Sequence, residues 1–425
     1  MGSRRRVATA LDNQEMTMRR SIPAVAATLG LALTLTACGG GDGDSGGAAE
    51  SSAAAADDGL VIWVDETRQA AVEDAAELFT DENEVAVELV VKNFDDIRAD
   101  FLAQVPTGEG PDITVGAHDW LGEMTQNGVV APIELGEKSA EFEEVAVEAF
   151  TQDGQVYGLP YAIENIALIR NTALASSAPA TWDDALAAGQ AAGTTYPILI
   201  QTGEEGDPYT YYPLQTSFGA PVFVQNEDGT YSPELAMGGA PGQAFAQWLQ
   251  AQGQAGVLQT DITYDIAVEA FKNGESPFII GGPWMLEQFE GLELSVDPIP
   301  AAGPEAAQPF VGVQGFYVSA QSDNALLAND FLVNYMASED AQLALYEAGD
   351  RPPALKAAAE IANEDPITAG FAAVGAEAAP MPSIPQMGSV WQFWGVTEAQ
   401  ILSGTADPVA AWDKMIADIE GAIGS

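Results

Sequence analysis

Leu60-Val-Ile-Trp-Val64 is an uninterrupted apolar run of strand length, and Val72, Ala75, Ala76 and Phe79 behind it recur at the i, i+3, i+4, i+7 spacing of one helix face. Val85, Val87, Leu89 and Val91 then alternate as a half-buried strand does. A helical pattern covers 97–105, and Asp112-Ile-Thr-Val115 is strand-like again. Repeated switching between the two periods predicts an α/β domain with a largely parallel sheet. The switching returns with Ile166-Ala-Leu-Ile169, the helical stretch 182–192, Ile198-Leu-Ile200, and Ala267-Val-Glu-Ala-Phe271 ahead of Phe278-Ile-Ile280. That predicts a second α/β unit. From Asn324 onward helix formers dominate, broken at Arg351-Pro-Pro353 and over 380–385, and no short-period repeat stands out.

The composition supplies cores for such units. Of 425 residues 47% are hydrophobic, and every aromatic lies beyond residue 37. The length suggests two or three domains at about 150 residues each. A formal net charge of -49, from 14 Lys+Arg against 63 Asp+Glu, excludes nucleic acid as a partner, because neutralising phosphates takes clustered cations that are absent here. The same field favours a neutral or cationic small ligand and keeps copies of the chain apart, as a monomer.

One Cys and one His leave no internal disulfide, no Cys-rich zinc site and no metal or cofactor motif. Hydrolase and nucleotide chemistry lack their signatures too: there is no Gly-x-Ser-x-Gly elbow, no Walker loop and no Gly-x-Gly-x-x-Gly after a strand. A carboxylate pair for glycoside hydrolysis is uninformative in a chain with so many acids.

The single cysteine, Cys38, ends a tripartite leader. Arg19 and Arg20 precede the apolar stretch 22–37, whose end, Leu35-Thr-Ala-Cys38, resembles the lipobox of bacterial lipoproteins. The resemblance implies a signal peptide over 1–37, with Met18 a possible true start, and acylation of Cys38 as the mature N-terminus. Residues 38–58, rich in Gly, Ser, Ala and Asp, then form a flexible tether that leaves the protein lipid-anchored on the outer face of the cell membrane.

Ten further blocks, in order, resemble the maltose/maltodextrin-binding proteins, receptors of carbohydrate ABC importers. They are Leu60-Val-Ile-Trp-Val64, Gly108-Glu-Gly-Pro-Asp-Ile113, Ala117-His-Asp119, Asn127-Gly128 and Pro160-Tyr-Ala-Ile-Glu164, then Asp207-Pro-Tyr209, Ala270-Phe-Lys-Asn-Gly-Glu275, Gly282-Pro-Trp284, Pro309-Phe-Val-Gly-Val313 and Met381-Pro-Ser-Ile-Pro-Gln-Met387 with Trp391. The resemblance implies an α/β two-lobe periplasmic-binding fold with a hinge and an interlobe ligand cleft. Its lobes would be 59–163 plus 314–362, and 164–313 plus 363–425. The partners implied are an oligosaccharide and the permease subunits, with no catalysis.

By matching position, Trp284, Tyr209 and Trp391 would stack on the apolar faces of sugar rings, and Asp65, Asp119 and Glu164 would accept from hydroxyls. Arg68 would donate, Asp207 aligns with an acidic contact, and Tyr264 falls on a cleft-lining position. Trp63, inside its apolar run, reads as core, His118 as structural, and Trp394 is open between core and cleft. The chain also departs from the family pattern. Gly116 stands where an aromatic is common, Trp120 where a basic residue is usual, Thr67 in place of an acid, and Gln392 and Gly395 where an aromatic and an arginine are frequent. Trehalose, sucrose or a cyclodextrin therefore stay open as ligands, and a secreted glycoside hydrolase is the alternative from another class.

Overall fold

In the computed structural model, which describes residues 59–226 and 230–424, the first alternation becomes β1 (Leu60–Val64), α1 (Gln69–Asn83), β2 (Val87–Val91), α2 (Phe94–Gln104) and β3 (Ile113–Ala117). The leader, Cys38 and the tether lie outside the described residues. Helix α1 buries Ala71, Val72, Ala75, Ala76 and Phe79, the face its spacing predicted. Asn93 starts α2 by accepting from the Asp95 backbone N–H, with Asp95 and Asp96 in the favourable first turn.

Downstream come β4 (Val130–Ala131), β5 (Gly158–Asn165), β6 (Ala167–Asn171), α3 (Trp182–Ala192), α4 (Pro208–Thr216) and α5 (Tyr264–Lys272). They are followed by β7 (Phe278–Gly281), β8 (Leu294–Asp297), β9 (Phe310–Ser319), α6 (Pro366–Gly375), β10 (Ala379–Pro380), α7 (Met387–Leu402) and α8 (Pro408–Ile423).

The first sheet runs β10-β9-β3-β1-β2, with β4 and β5 also paired to β9. Its β2-β1-β3 part is parallel, as expected, but β9 is antiparallel to β3, β4 and β5. Strand β9 enters from a distant part of the chain, so no helical crossover dictates its direction. The second sheet departs further: β7 and β8 flank β6 and both are antiparallel to it. Ile198-Leu-Ile200 contributes only an isolated parallel bridge between Leu199 and Ile279.

Burial separates into two bodies. One core holds Trp63, Phe79, Phe101 and Val115 together with the late residues Phe316, Tyr317 and Leu345. The other straddles the second sheet. Ile166 and Leu168 face Trp182, Phe245, Trp394 and Trp412, while Ala167 and Ile169 face Phe271, Phe289 and Phe371. This is the period of two of a strand buried on both faces. Each fully buried Phe, Leu or Ile contributes about 1.5–3 kcal/mol to its lobe.

The chain passes between the lobes inside β5 and again inside β9. In β5, Leu159 and Tyr161 lie in the first core and Ile166, just beyond, in the second; in β9, Phe310 lies in the second and Val313 in the first. No helix among the described residues is long and apolar enough to cross a membrane.

Candidate ligand-binding cleft

Because β1, β2 and β3 are parallel, their C-terminal ends share one edge, the place where open α/β sheets present ligand-binding loops. The chain leaving those ends lines a cavity of about 1050 Å3: Asp65, Thr67 and Arg68 after β1, Lys92 and Phe94 after β2, Asp119 and Trp120 after β3. Glu164 of β5, Gly312 and Gln314 of β9, Arg351 and Met381 form the floor. Tyr209, Trp284 and Trp391, which pack against the second core, form the facing wall.

Asp65 and Arg68 are bound to one another before any ligand is considered. Asp65 Oδ1 accepts from the Thr67 N–H at 3.0 Å, the Thr67 hydroxyl at 2.7 Å and the Arg68 N–H at 3.2 Å, while Oδ2 pairs with the Arg68 guanidinium. Arg68 Nε also donates to the Tyr161 hydroxyl, and the guanidinium lies 4.8 Å from the Phe94 ring centroid. Thr67, which replaces an acid, thus completes the turn that orients Asp65. Burial lowers the Arg68 pKa.

Asp119 sits in the one-turn helix His118–Trp120 that leaves β3. Burial raises its pKa, against the opposing effects of His118, Arg98 and Trp391. His118 is fully committed. Its Nδ1 accepts from the Val313 N–H at 3.0 Å, so Nε2 carries the proton and donates to the Met381 carbonyl, also at 3.0 Å. Burial lowers its pKa, which suits this neutral tautomer joining β3, β9 and the segment after β10.

On the floor, Glu164 accepts at both oxygens, from Gln314 Nε2 at 2.7 Å and from Arg351 Nε at 2.9 Å. Gln314 and Arg351 were not singled out from the sequence. Arg351 stood inside a proline-rich break, and Gln314 inside a strand otherwise apolar enough to read as core.

The aromatic wall is built from three elements. Asp207 caps α4 by accepting from the Thr210 N–H at 3.1 Å, with Pro208 at the first helical position, and this fixes Tyr209 in the first turn. Tyr209 lies 6.4 Å from Trp284 and is stacked 6.3 Å from Phe310, centroid to centroid. Trp391 stacks 5.5 Å from Trp394, which is fully buried and donates to Gln215 Oε1 at 3.1 Å. Trp394 is therefore core, and its ring backs the half-buried Trp391.

Seven of the nine expected ligand residues line the cavity: Asp65, Arg68, Asp119, Glu164, Tyr209, Trp284 and Trp391. Asp207 and Tyr264 do not. Asp207 is spent on its helix cap and on Gln201, and Tyr264 begins α5 at 37% exposure beside a separate surface depression. Two further rings not expected from the sequence line the cavity, Phe94 and Trp120, whose centroids are 5.2 Å apart.

The glycines at 116 and 395 sit where a side chain would not fit. A Cβ at Gly116 would fall 2.6 Å from the Trp120 ring, so the aromatic at 120 requires the glycine at 116. A Cβ at Gly395 would fall 2.6 Å from the Glu205 carbonyl, which leaves no room for an arginine there. Among the described residues no group of three or more His, Cys, Asp or Glu side chains is placed to hold a metal.

A family model described as bacterial extracellular solute-binding protein matches residues 74–373, spanning both lobes and most of the cleft. The chain belongs to that family. As an extracellular solute-binding protein it is extracytoplasmic, and its relatives bind solutes rather than transform them. It is 29% identical over 392 residues to the maltodextrin-binding protein of Bacillus subtilis (strain 168), covering 87% of this chain and 89% of that one. It is 26% identical to the galactooligosaccharide-binding protein of the same organism, covering 92% and 95%. Among solved structures, the Thermus thermophilus maltotriose binding protein bound with maltotriose is 32% identical, with a TM-score of 0.78, covering 86% of this chain and 100% of that chain. The two-lobe fold of the solute-binding protein is thus shared across its full globular part.

Proposed function

We propose that the protein is the receptor of a carbohydrate ABC importer, holding a neutral malto-oligosaccharide between its lobes and delivering it, lobes closed, to the membrane permease. One observation carries this reading: the two walls of the cleft are chemically complementary to opposite parts of a sugar. Tyr209, Trp284 and Trp391 present aromatic surface, while Asp65, Arg68, Asp119 and Arg351 offer carboxylate and guanidinium groups. A glucose unit has apolar C–H faces for the first set and a rim of hydroxyls for the second.

Charge favours a neutral ligand. Asp65, Glu66, Asp95, Asp119 and Glu164 line the cavity against Arg68, Lys92, Arg98 and Arg351, so an anion meets no net positive field. The maltodextrin and maltotriose relatives favour an α-linked glucose chain; the galactooligosaccharide relative makes a galactoside the second reading.

The lobes in this proposal are 59–163 with 314–362 and 164–313 with 363–425, supported by the separate cores on either side of β5 and β9. The ligand residues proposed are Asp65, Arg68, Asp119, Tyr209, Trp284 and Trp391, with Arg351 added; Glu164 lines the cavity with both oxygens engaged by Gln314 and Arg351, and Asp207 and Tyr264 are not carried forward as contacts. Cys38 is acylated and ties a monomer to the outer face of the membrane through the tether 38–58. The protein binds and does not hydrolyse.

Isothermal titration calorimetry against maltose, maltotriose, a cyclodextrin, trehalose, sucrose, cellobiose and a galactosyl disaccharide tests this. The expected result is one saturable site that prefers the α-1,4 glucans. Binding confined to a galactoside would move the substrate, silence throughout would overturn the reading, and shorter products after incubation with maltotriose would replace it with an enzyme.

A further inference from the structure

Arg351 is 9% exposed on the cleft floor, yet it is only half satisfied by the protein. Its Nε donates to Glu164 at 2.9 Å, while Nη1 and Nη2 have no acceptor among the described residues. A guanidinium brings five N–H donors in a rigid planar fork. Nη1 and Nη2 are not buried within the protein but open onto the cavity, so they are free to donate to a ligand there.

The surroundings hold the fork in one place. Glu164 receives Gln314 Nε2 at 2.7 Å on its other oxygen, so a strand crossing each way between the lobes contributes to the clamp. Glycine at 349 leaves the guanidinium its room, because a Cβ there would lie 2.4 Å from Nη1. From the facing lobe the Trp284 ring approaches to 6.0 Å between its centroid and the guanidinium carbon. The free edge of the fork is therefore offered beside an aromatic platform.

We propose that Arg351 is a ligand-contacting, specificity-determining residue, donating from Nη1 and Nη2 to two adjacent hydroxyl oxygens of a neutral sugar, and that Glu164 and Gln314 are positioning residues acting through it. This rests on the sugar reading above and reassigns Glu164, expected from the sequence to accept hydroxyls itself. Two parallel N–H groups match two neighbouring oxygens on one ring, a vicinal diol, as they would match a carboxylate. Glu164 already balances the Arg351 charge, and Asp65, Glu66, Asp95 and Asp119 line the same cavity, so the neutral diol is the better occupant.

The test is calorimetry with maltotriose and its monodeoxy derivatives on the full protein and on Arg351→Lys, Arg351→Gln and Gln314→Leu. Arg351→Lys keeps a cation beside Glu164 and so preserves the fold, which thermal melting verifies, but it lacks the fork. Loss of charge-assisted hydrogen bonds in a desolvated site predicts maltotriose binding weaker by about 10- to 100-fold for both Arg351 variants. The wild type should penalise two adjacent deoxy positions. In Arg351→Gln those two penalties should vanish while the others persist, and Gln314→Leu should weaken binding with the pattern intact.

Deoxy penalties unchanged in Arg351→Gln, or Arg351→Lys binding within twofold of wild type, would overturn the assignment while leaving the sugar receptor standing. Tighter binding of a glucuronic-acid disaccharide than of maltotriose would overturn the neutral diol. A wild type silent to every sugar would overturn both readings.

Discussion

Trp284 is one of the three rings of the aromatic wall and stands 6.0 Å from the Arg351 guanidinium. Removing it as Trp284→Ala should weaken maltotriose binding by about 1–3 kcal/mol, the size of an aromatic stacking contact in a comparable platform, with calorimetry on the folded variant as the check. Glu398 makes a different prediction. It is 1% exposed in α7, with neither carboxylate oxygen within a full hydrogen bond of a partner among the described residues, and burial, reinforced by Asp207 and opposed by the nearby Trp394 N–H, holds its pKa well above the usual carboxylate range. Between the ordinary glutamate pKa and that raised value the native state keeps a proton that the unfolded chain releases. Stability therefore falls as pH rises through this window, by up to about 1.4 kcal/mol per pH unit. Glu398→Gln cannot ionise, so it should match wild type near pH 4 and exceed it increasingly as pH rises above the ordinary glutamate pKa; parallel melting-temperature curves would refute this. At this scale the sequence was legible where residue type alone decides, as with Trp284 after a glycine-proline turn. It was less so where a local role competes: Asp207 before Pro208 has the form of a helix cap, and that is where the structure uses its carboxylate.

Among the elements, the turn before α4 and the middle of α7 meet as bare backbone. Gly206 has φ +77°, and a Cβ on it would lie 2.0 Å from the Gly395 carbonyl. Gly206→Ala should therefore cost about 1–3 kcal/mol from overpacking, with left-handed strain in addition; a urea melt within about 0.5 kcal/mol of wild type, the usual range for a neutral substitution, would contradict it. Helices α1 and α2 and strands β1 to β3 were visible in advance because their signals are local: a period of apolar residues or a run of β-branched side chains, although α2 starts at Phe94, three residues before the expected 97. Strand β9 was not. Its antiparallel pairing with β3 joins Gln314 to Ala117 and Val318 to Ile113, partners about two hundred residues apart, and no local pattern encodes direction. The same holds for the antiparallel second sheet, where β6 is flanked by strands that follow it only after α3, α4 and α5.

Over the whole molecule, the placement of the cleft follows from the chain crossing between two cores inside β5 and β9. Each crossing strand carries both structural and cleft residues: Tyr161 and Glu164 on β5, Val313 and Gln314 on β9. His118 ties β9 to Met381 at the same level through two hydrogen bonds. Such a joint suits a hinge, and a ligand touching both walls stabilises the closed arrangement through contacts absent when the lobes part. The central claim, that this chain closes on a malto-oligosaccharide, is tested most directly by small-angle X-ray scattering of the protein titrated with maltotriose. The account predicts a saturable decrease in the radius of gyration at one sugar per chain, absent with a sugar that calorimetry finds inert; an unchanged scattering curve at saturating maltotriose would contradict it.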